Sequence, residues 1–300
     1  MDAGDVTEYA GWTLTARRKM QSGQWQGDGM MDTVTTVMAG KGPSEKRPTK
    51  TRVYTASAEC LTDPERYQKA WELLPSQRRE SADRMKIESG KRLSAGAGLL
   101  LMAALADYLY EGQYSERAGT AEAWRGEILK LRPLRFDAGE KGKPYLPEQR
   151  AVHFNLSHSG SRVMCVMSDR EVGCDVEEID KRRVSQVIRC LAESEQAVAS
   201  ESAENFFRIW TLKESILKLS GEGLAIPLRS FEVSLDPLKV RQSFIPGQVI
   251  LKEYREFRDS ASIGTASCGG NEKRYCCSCA IEGGALPERM TQVDLSRIIG

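Results

Sequence analysis

The chain has 300 residues, 40% of them hydrophobic, and a formal net charge of only +1. A nearly neutral protein lacks the overall basic character of nucleic-acid-binding proteins, so a bound anion must be held by a local cluster. Its longest uncharged apolar run, residues 95–106, is too short to span a bilayer. We therefore expect a globular protein with neither nucleic acid nor membrane as partner. Because residues 1–12 show no basic or apolar leader, we also expect it in the cytoplasm.

Residues 1–50 combine Gly, Thr, Ser and Lys with little periodicity and end in the breaker-rich basic stretch 41–50. This composition predicts an N-terminal extension that closes in a linker. Order is expected to begin near Thr51.

The first ordered segments are a strand over 52–57 and a helix that ends at Leu74. Asp63 and Pro64 suit the N-cap and first helical position of that helix. A basic segment, residues 78–92, then leads into residues 93–105, whose small and aliphatic side chains predict a buried helix.

The middle of the chain is predicted to form three apolar strands, then two helices, then further strands. We predict a hairpin with the polar turn 157–161, a strand over 171–179, and a helix that stops at Gly221. The remaining predicted elements are the hairpin strands 151–156 and 162–167, the helices 183–199 and 204–219, and the strands 230–234, 247–251 and 274–281.

Strands and helices are intermixed without strict βαβ alternation, which predicts an α+β protein, in two lobes. We place the first lobe at residues 51–170 and the second at 171–300. A two-lobed chain of this length is expected to work as a monomer.

The eight cysteines fit a reducing compartment, and only Cys276, Cys277 and Cys279 are clustered. The cluster lacks the second ligand pair of a structural zinc site, so a strand is favoured over a zinc or redox site.

Strand alternation places Asp175 and Glu177 on one face of the predicted strand 171–179. Paired carboxylates are hard oxygen ligands that suit Mg²⁺, which completes its coordination with water and substrate phosphate. The alternative is a solvated edge strand that carries ordinary acids.

The helix 204–219 carries Trp210, Glu214 and Lys218 at i, i+4 and i+8, which puts an acid and a base one turn apart. Taken alone, this spacing also describes a surface ion pair beside a core tryptophan. Lys143, in the turn 142–144, taken alone is an ordinary loop charge.

Four motifs in this order resemble those of the Sfp-type 4′-phosphopantetheinyl transferases, of the holo-acyl-carrier-protein synthase superfamily. The resemblance covers about residues 51–233. The motifs are GKP at 142–144, FNLSHS at 154–159, GCDVE at 173–177, and WTLKES at 210–215 with Lys218 and the tail 221–228.

The resemblance implies two similar α+β lobes with coenzyme A in the cleft between them. It implies transfer of phosphopantetheine from coenzyme A to a serine hydroxyl of an acyl, peptidyl or polyketide carrier protein, with release of 3′,5′-ADP. By the same resemblance, Asp175, Glu177 and Glu214 hold Mg²⁺. Glu214 also takes the serine proton, and Lys218 stabilises or protonates the departing phosphate.

The family also suggests which residues contact the nucleotide of coenzyme A. Ser157 and His158 are expected at the 3′-phosphate, while His153 is interpreted as structural. The further candidates for the nucleotide and its phosphates are Lys86, Arg92 and Lys143.

Two other classes of function stay open. One is a non-catalytic module that binds nucleotide or carrier, although all the catalytic residue types are present. The other is a metal-dependent phosphohydrolase, which only the order of the motifs argues against.

Overall fold

The computed structural model describes residues 49–110, 120–254 and 273–300. Apart from Thr49 and Lys50, the predicted N-terminal extension at residues 1–50 lies outside the described residues. Residues 49–300 form one compact unit.

Runs of helices and runs of strands follow one another along the described chain. The helices are α1 (Pro64–Leu73), α2 (Ser76–Asp83), α3 (Glu88–Leu109), α4 (Ala121–Leu131), α5 (Lys181–Val187), α6 (Glu193–Glu201), α7 (Ala203–Ser220) and α8 (Leu295–Ile299). The strands are β1 (Thr51–Ser57), β2 (Asp137–Ala138), β3 (Pro144–Tyr145), β4 (His153–Ser159), β5 (Arg162–Ser168), β6 (Val172–Glu178), β7 (Glu232–Leu235), β8 (Leu238–Arg241), β9 (Val249–Tyr254), β10 (Tyr275–Glu282) and β11 (Thr291–Gln292).

Two sheets form the centre of the described fold. The first has the order β11-β1-β5-β4 and the second the order β6-β10-β9. All neighbours are antiparallel except β11, which pairs parallel with β1. Strand β11 and helix α8 lie in the part of the chain that the sequence analysis assigns to the second lobe. In the structure β11 is an edge strand of the first sheet, and α8 packs against α4, α1 and α3 in the core beside that sheet.

Alternation along the strands separates three apolar cores. One face of the first sheet, with Tyr54, Cys165 and Met167, packs in the core that holds α3. Its other face, with Val53 and Val166, packs against Cys174 and other residues of the second sheet. The outer face of the second sheet packs with α7. The order of layers is therefore helix, sheet, sheet, helix.

Strand β6 approaches the backbone of α7 directly at Gly173. A Cβ atom at this position would lie 2.1 Å from the carbonyl oxygen of Ser215. Only glycine allows this distance, and it brings the carboxylates of β6 next to the side chains of α7.

The α+β class predicted from the sequence is confirmed. Asp63 caps α1 through the amide of Arg66, and Gly221 ends α7 in the left-handed conformation. Both of these predicted helix boundaries are therefore correct, because each depends on local chemistry.

Two sequence-based predictions are wrong in detail. Residues 157–159 belong to β4, and the turn is only Gly160 and Ser161, since residues 157–159 continue the antiparallel pairing with residues 162–164 of β5. The predicted single helix 183–199 is two helices, α5 and α6, separated by a 3₁₀ turn at Ile188–Cys190.

The cysteine cluster forms part of β10, as predicted, and its three thiols are buried and unoxidised. Burial is the main reason that the pKa of each lies above its ordinary value. Such thiols behave as small apolar side chains.

One described helix, α3, is long and apolar enough to cross a membrane by length and composition, but 83% of its apolar window is buried inside the fold.

Lys213 of the WTLKES motif lies on the side of α7 away from the carboxylates of β6. Its ammonium donates to Glu195 Oε1 at 2.6 Å and to the carbonyl of Phe231. Glu195 in turn accepts from the amides of Ala192 and Val233. This buried ion pair joins α7 to α6 and to the start of β7.

We expect Lys213→Met to lower the free energy of unfolding by about 3–5 kcal/mol, because it leaves the buried carboxylate of Glu195 without its cation. Urea unfolding followed by circular dichroism measures the change. The control is Lys252→Met, which removes a lysine whose partner Glu288 is exposed, with an expected loss below about 1 kcal/mol. Equal losses in the two variants would contradict the assigned role.

Candidate active site

The two sheets meet through side-chain oxygens of β4. Asn155 Oδ1 accepts from the amide of Cys174, and the hydroxyls of Ser157 and Ser159 accept from the amides of Val176 and Glu178. The distances are 3.0, 3.3 and 3.1 Å. Because every second side chain of a strand lies on one face, the spacing of these residues matches every second amide of β6. We call this set of three hydrogen bonds the oxygen ladder.

The oxygen ladder brings Ser157 to Asp175. Ser157 Oγ donates to Asp175 Oδ1 at 2.7 Å, and the ammonium of Lys218 lies 2.7 Å from the same oxygen and 3.0 Å from Ser157 Oγ. All three residues are buried. The fold thus joins one residue from each of β4, β6 and α7.

Glu177 faces α7 together with Asp175, as strand alternation predicts. Its Oε2 accepts from Ser159 Oγ at 2.7 Å and from Arg183 Nη1 at 2.9 Å. Arg183 and Ser159 did not stand out as site residues in the sequence, although Ser159 lies within the FNLSHS motif.

Glu214 lies one turn before Lys218 on α7 and is also buried. Burial raises its pKa to about 7, and the negative charges of Asp175 and Glu177 contribute. Burial, with the charge of Glu177, likewise raises the pKa of Asp175 to about 6 despite the opposing effect of Lys218. Burial alone would lower the pKa of Lys218, but Asp175 and Glu214 hold it above its ordinary value. Three carboxylates thus share a poorly solvated space with one lysine that stays protonated.

Among the residues that the structure describes, no three His, Cys, Asp or Glu side chains form a ready-made metal site. The cations of Lys218 and Arg183 already contact Asp175 and Glu177. The carboxylate oxygens are nevertheless the type of ligand that Mg²⁺ prefers. One of them, Asp175 Oδ2, is buried and has no hydrogen-bond partner in the described part of the chain, so it could bind a cation. The raised pKa of Glu214 and Asp175 reflects burial first and the charge of neighbouring carboxylates second, and a divalent cation would offset both. Of the three predicted ligands, Asp175 thus has an oxygen without a hydrogen-bond partner among the described residues, whereas Glu177 already accepts from Ser159 and Arg183.

His158 lies on the opposite face of β4 from Ser157, since the two residues are adjacent on a strand. Burial, with the positive charges of Lys218 and Arg78, lowers its pKa to about 4. His158 is therefore a neutral imidazole at neutral pH. Arg78, which sequence reasoning did not single out, donates to the carbonyl of Ser94 and has a buried Nε without a hydrogen-bond partner among the described residues.

In the described part of the chain, none of the other predicted nucleotide contacts is hydrogen-bonded to Asp175, Glu177 or Glu214. Lys143 donates to Glu171 and to the carbonyl of Leu219. Lys86 is exposed in the loop between α2 and α3, and Arg92 lies in the first turns of α3. Within the described residues, no hydrogen bond or ion pair connects Lys86 or Arg92 to the carboxylates. Their roles remain predictions.

Residues 171–280 match the sequence model of the 4′-phosphopantetheinyl transferase superfamily. The chain is 35% identical over 107 residues to the 4′-phosphopantetheinyl transferase Sfp of Bacillus subtilis strain 168. The aligned region covers 34% of this chain and 48% of that protein. The chain is 40% identical over 91 residues to the 4′-phosphopantetheinyl transferase AcpT of Escherichia coli K12, which covers 28% of this chain and 47% of that protein.

The chain therefore spans about half the length of the curated relatives that it matches. The family resemblance inferred from the motifs is confirmed. The matched residues 171–280 include Asp175, Glu177, Glu214 and Lys218.

The depressed pKa of His158 predicts a pH-dependent stability. A histidine in the unfolded chain has a pKa near 6.5, whereas His158 in the folded protein has a pKa of about 4. Stability from this group is thus complete above pH ~6.5 and is lost as the pH falls toward 4. Between pH ~7 and ~4.5, we expect the wild type to lose about 2 kcal/mol more free energy of unfolding than His158→Gln.

Urea unfolding at the two pH values measures both losses. Both proteins contain the same carboxylates, so the difference between the two losses excludes the effect of carboxylate titration on stability. Identical losses would show that His158 is not held neutral by the fold.

Proposed function

We propose that this protein transfers the 4′-phosphopantetheine group of coenzyme A to a serine hydroxyl of a carrier protein. The observation that carries the proposal is the buried contact of Lys218 with Asp175 and Ser157, beside Glu214. The residues in this contact come from three separate motifs: Ser157 from FNLSHS, Asp175 from GCDVE, and Glu214 and Lys218 from the WTLKES helix. Three of these four residues lie in the part of the chain that is similar to named 4′-phosphopantetheinyl transferases.

Glu214 is suited to act as the general base. Without a bound cation its pKa is about 7, which makes it a stronger base than an ordinary carboxylate. A cation bound beside it would lower this pKa toward the ordinary value, so the proton transfer also depends on how close Glu214 lies to the carrier serine. In the proposed reaction it takes the proton of the carrier serine. The serine oxygen forms a bond to the phosphorus of the phosphopantetheine, and the pyrophosphate bond to 3′,5′-ADP breaks.

Lys218 is suited to the departing phosphate. Its ammonium is buried and stays protonated, since Asp175 and Glu214 raise its pKa. A fixed positive charge in a poorly solvated site stabilises developing negative charge more strongly than the same charge in water. Lys218 therefore neutralises or protonates the leaving 3′,5′-ADP.

Asp175 and Glu214 would hold a Mg²⁺ ion, with Glu177 close by. When bound, this ion would neutralise pyrophosphate charge that otherwise repels the attacking oxygen. Ser157 keeps Asp175 oriented through its 2.7 Å hydrogen bond.

Intact-mass spectrometry of an apo acyl carrier protein and an apo peptidyl carrier protein tests the proposal, after incubation with this protein, coenzyme A and Mg²⁺. We expect a mass gain of one phosphopantetheine group. Glu214→Gln, which keeps the side-chain shape, should slow the gain by about 100-fold or more. Glu288→Gln, which alters an exposed ion pair with Lys252, should leave the rate unchanged.

The other classes of function give different results in the same experiment. A phosphohydrolase cleaves coenzyme A without a carrier. A binding module leaves coenzyme A and both carriers intact. Either pattern, or wild-type rates with Glu214→Gln, would refute the proposed transfer or the role of Glu214.

Mg²⁺ should also raise the midpoint of thermal unfolding, because it binds the folded carboxylates and not the dispersed ones of the unfolded chain. We expect the increase in the wild type and a clearly smaller one in Glu214→Gln, measured by differential scanning calorimetry without coenzyme A. An equal increase in both proteins would place the metal elsewhere.

A further inference from the structure

A second polar cluster lies at the ends of the segments that carry the site. The ammonium of Lys143 donates to Glu171 Oε2 at 2.5 Å and to the carbonyl oxygen of Leu219 at 2.9 Å. The other oxygen of Glu171 lies 3.0 Å from Nδ1 of His153. One carboxylate thus binds two donors from two different parts of the chain.

Three members of the cluster, His153, Glu171 and Leu219, stand at the ends of segments that carry site residues. His153 is the first residue of β4, which carries Ser157. Glu171 directly precedes β6, which carries Asp175. Leu219 directly follows Lys218 in the last turn of α7. Lys143 comes from the turn before β3.

The contact from Lys143 to Leu219 supplies a hydrogen bond to a carbonyl at the C-terminal end of α7. The last four carbonyls of a helix have no partner within the helix, and a cation is favourable at that end. Lys143 supplies both, and its side chain is only 16% exposed. This carbonyl belongs to the peptide between Leu219 and Ser220, one residue beyond Lys218, so the contact holds the last turn of α7 in place.

Glu171 is the residue that holds the donors together. It is a carboxylate at neutral pH, since the hydrogen bond from His153 and the charge of Lys143 lower its pKa to about 2. Two acceptor oxygens are required, because each of the two donors takes one. An amide at this position would offer one acceptor and present an N–H group to the other donor.

We infer that Glu171 is a positioning residue that, through Lys143 and His153, fixes the end of α7 against the starts of β4 and β6. In this way it sets the place of Lys218 relative to Ser157 and Asp175. The inference about catalysis rests on the proposed function, whereas the inference about the contacts does not.

The first experiment uses the full chain without coenzyme A, metal or carrier. The protein has only two histidines, so nitrogen-15 NMR resolves both imidazoles, and His158→Gln assigns them. We expect His153 in the tautomer protonated at Nδ1, fixed by Glu171, and a loss of this preference in Glu171→Gln. Glu288→Gln, the matched control, should keep it.

Hydrogen exchange on the same samples reports on the end of α7. The amide of Gly221 donates to the carbonyl of Leu217 at 3.1 Å. Its exchange should become about tenfold faster in Glu171→Gln through easier local opening, and stay unchanged in Glu288→Gln. An unchanged tautomer together with unchanged exchange would overturn the inference.

The second experiment is a double-mutant cycle on the transfer reaction, well below the unfolding temperature of every variant. Glu171→Gln should lower kcat/KM about tenfold, since small misplacement of a catalytic group is costly. The double variant with Lys143→Gln should lose much less than the product of the two single losses, because both changes break the contact between Lys143 and Glu171. Effects that multiply would show that Glu171 does not act through Lys143.

The two experiments separate the two proposals. A wild type that transfers nothing refutes the proposed function, and the tautomer and exchange data then decide the contacts of Glu171 independently. Normal transfer with no change in Glu171→Gln overturns the positioning role alone.

Discussion

The site depends on the way in which β4 is attached to β6. These strands belong to different sheets, and no backbone ladder joins them. Instead, Asn155, Ser157 and Ser159 offer side-chain oxygens to amides of β6. The same hydroxyls donate to Asp175 and Glu177. The contacts that hold the sheets together are therefore also the contacts that orient the carboxylates.

Helix α7 contacts different parts of the fold with its two sides: one side packs against α6 and β7, and the other faces β6. Lys213 binds Glu195 and anchors the helix to its neighbours. Glu214 and Lys218 lie one turn apart next to β6, where Gly173 permits close approach. An anchored helix keeps the ammonium of Lys218 within 2.7 Å of Asp175. Packing on one side of the helix thus supports the chemistry on the other.

The electrostatics of the site follow from burial. Asp175, Glu177 and Glu214 repel one another in a space with little water, and their partners Lys218 and Arg183 compensate only in part. As a result, the pKa of Glu214 is raised to about 7. A group with such a pKa is of little use for stability, but it suits proton transfer at neutral pH.

The sequence alone determined those features that depend on short-range spacing. Alternation placed Asp175 and Glu177 on one face, the helical repeat placed Glu214 one turn from Lys218, and local chemistry defined the ends of α1 and α7 at Asp63 and Gly221. Only the tertiary structure decided which partners these residues meet. It extended β4 to Ser159, turned His158 away from Ser157, buried Lys213 against Glu195, and placed Lys143 on Glu171 and Leu219. The physical reason is that periodicity within one segment specifies a face, whereas a contact between segments depends on how the whole chain packs.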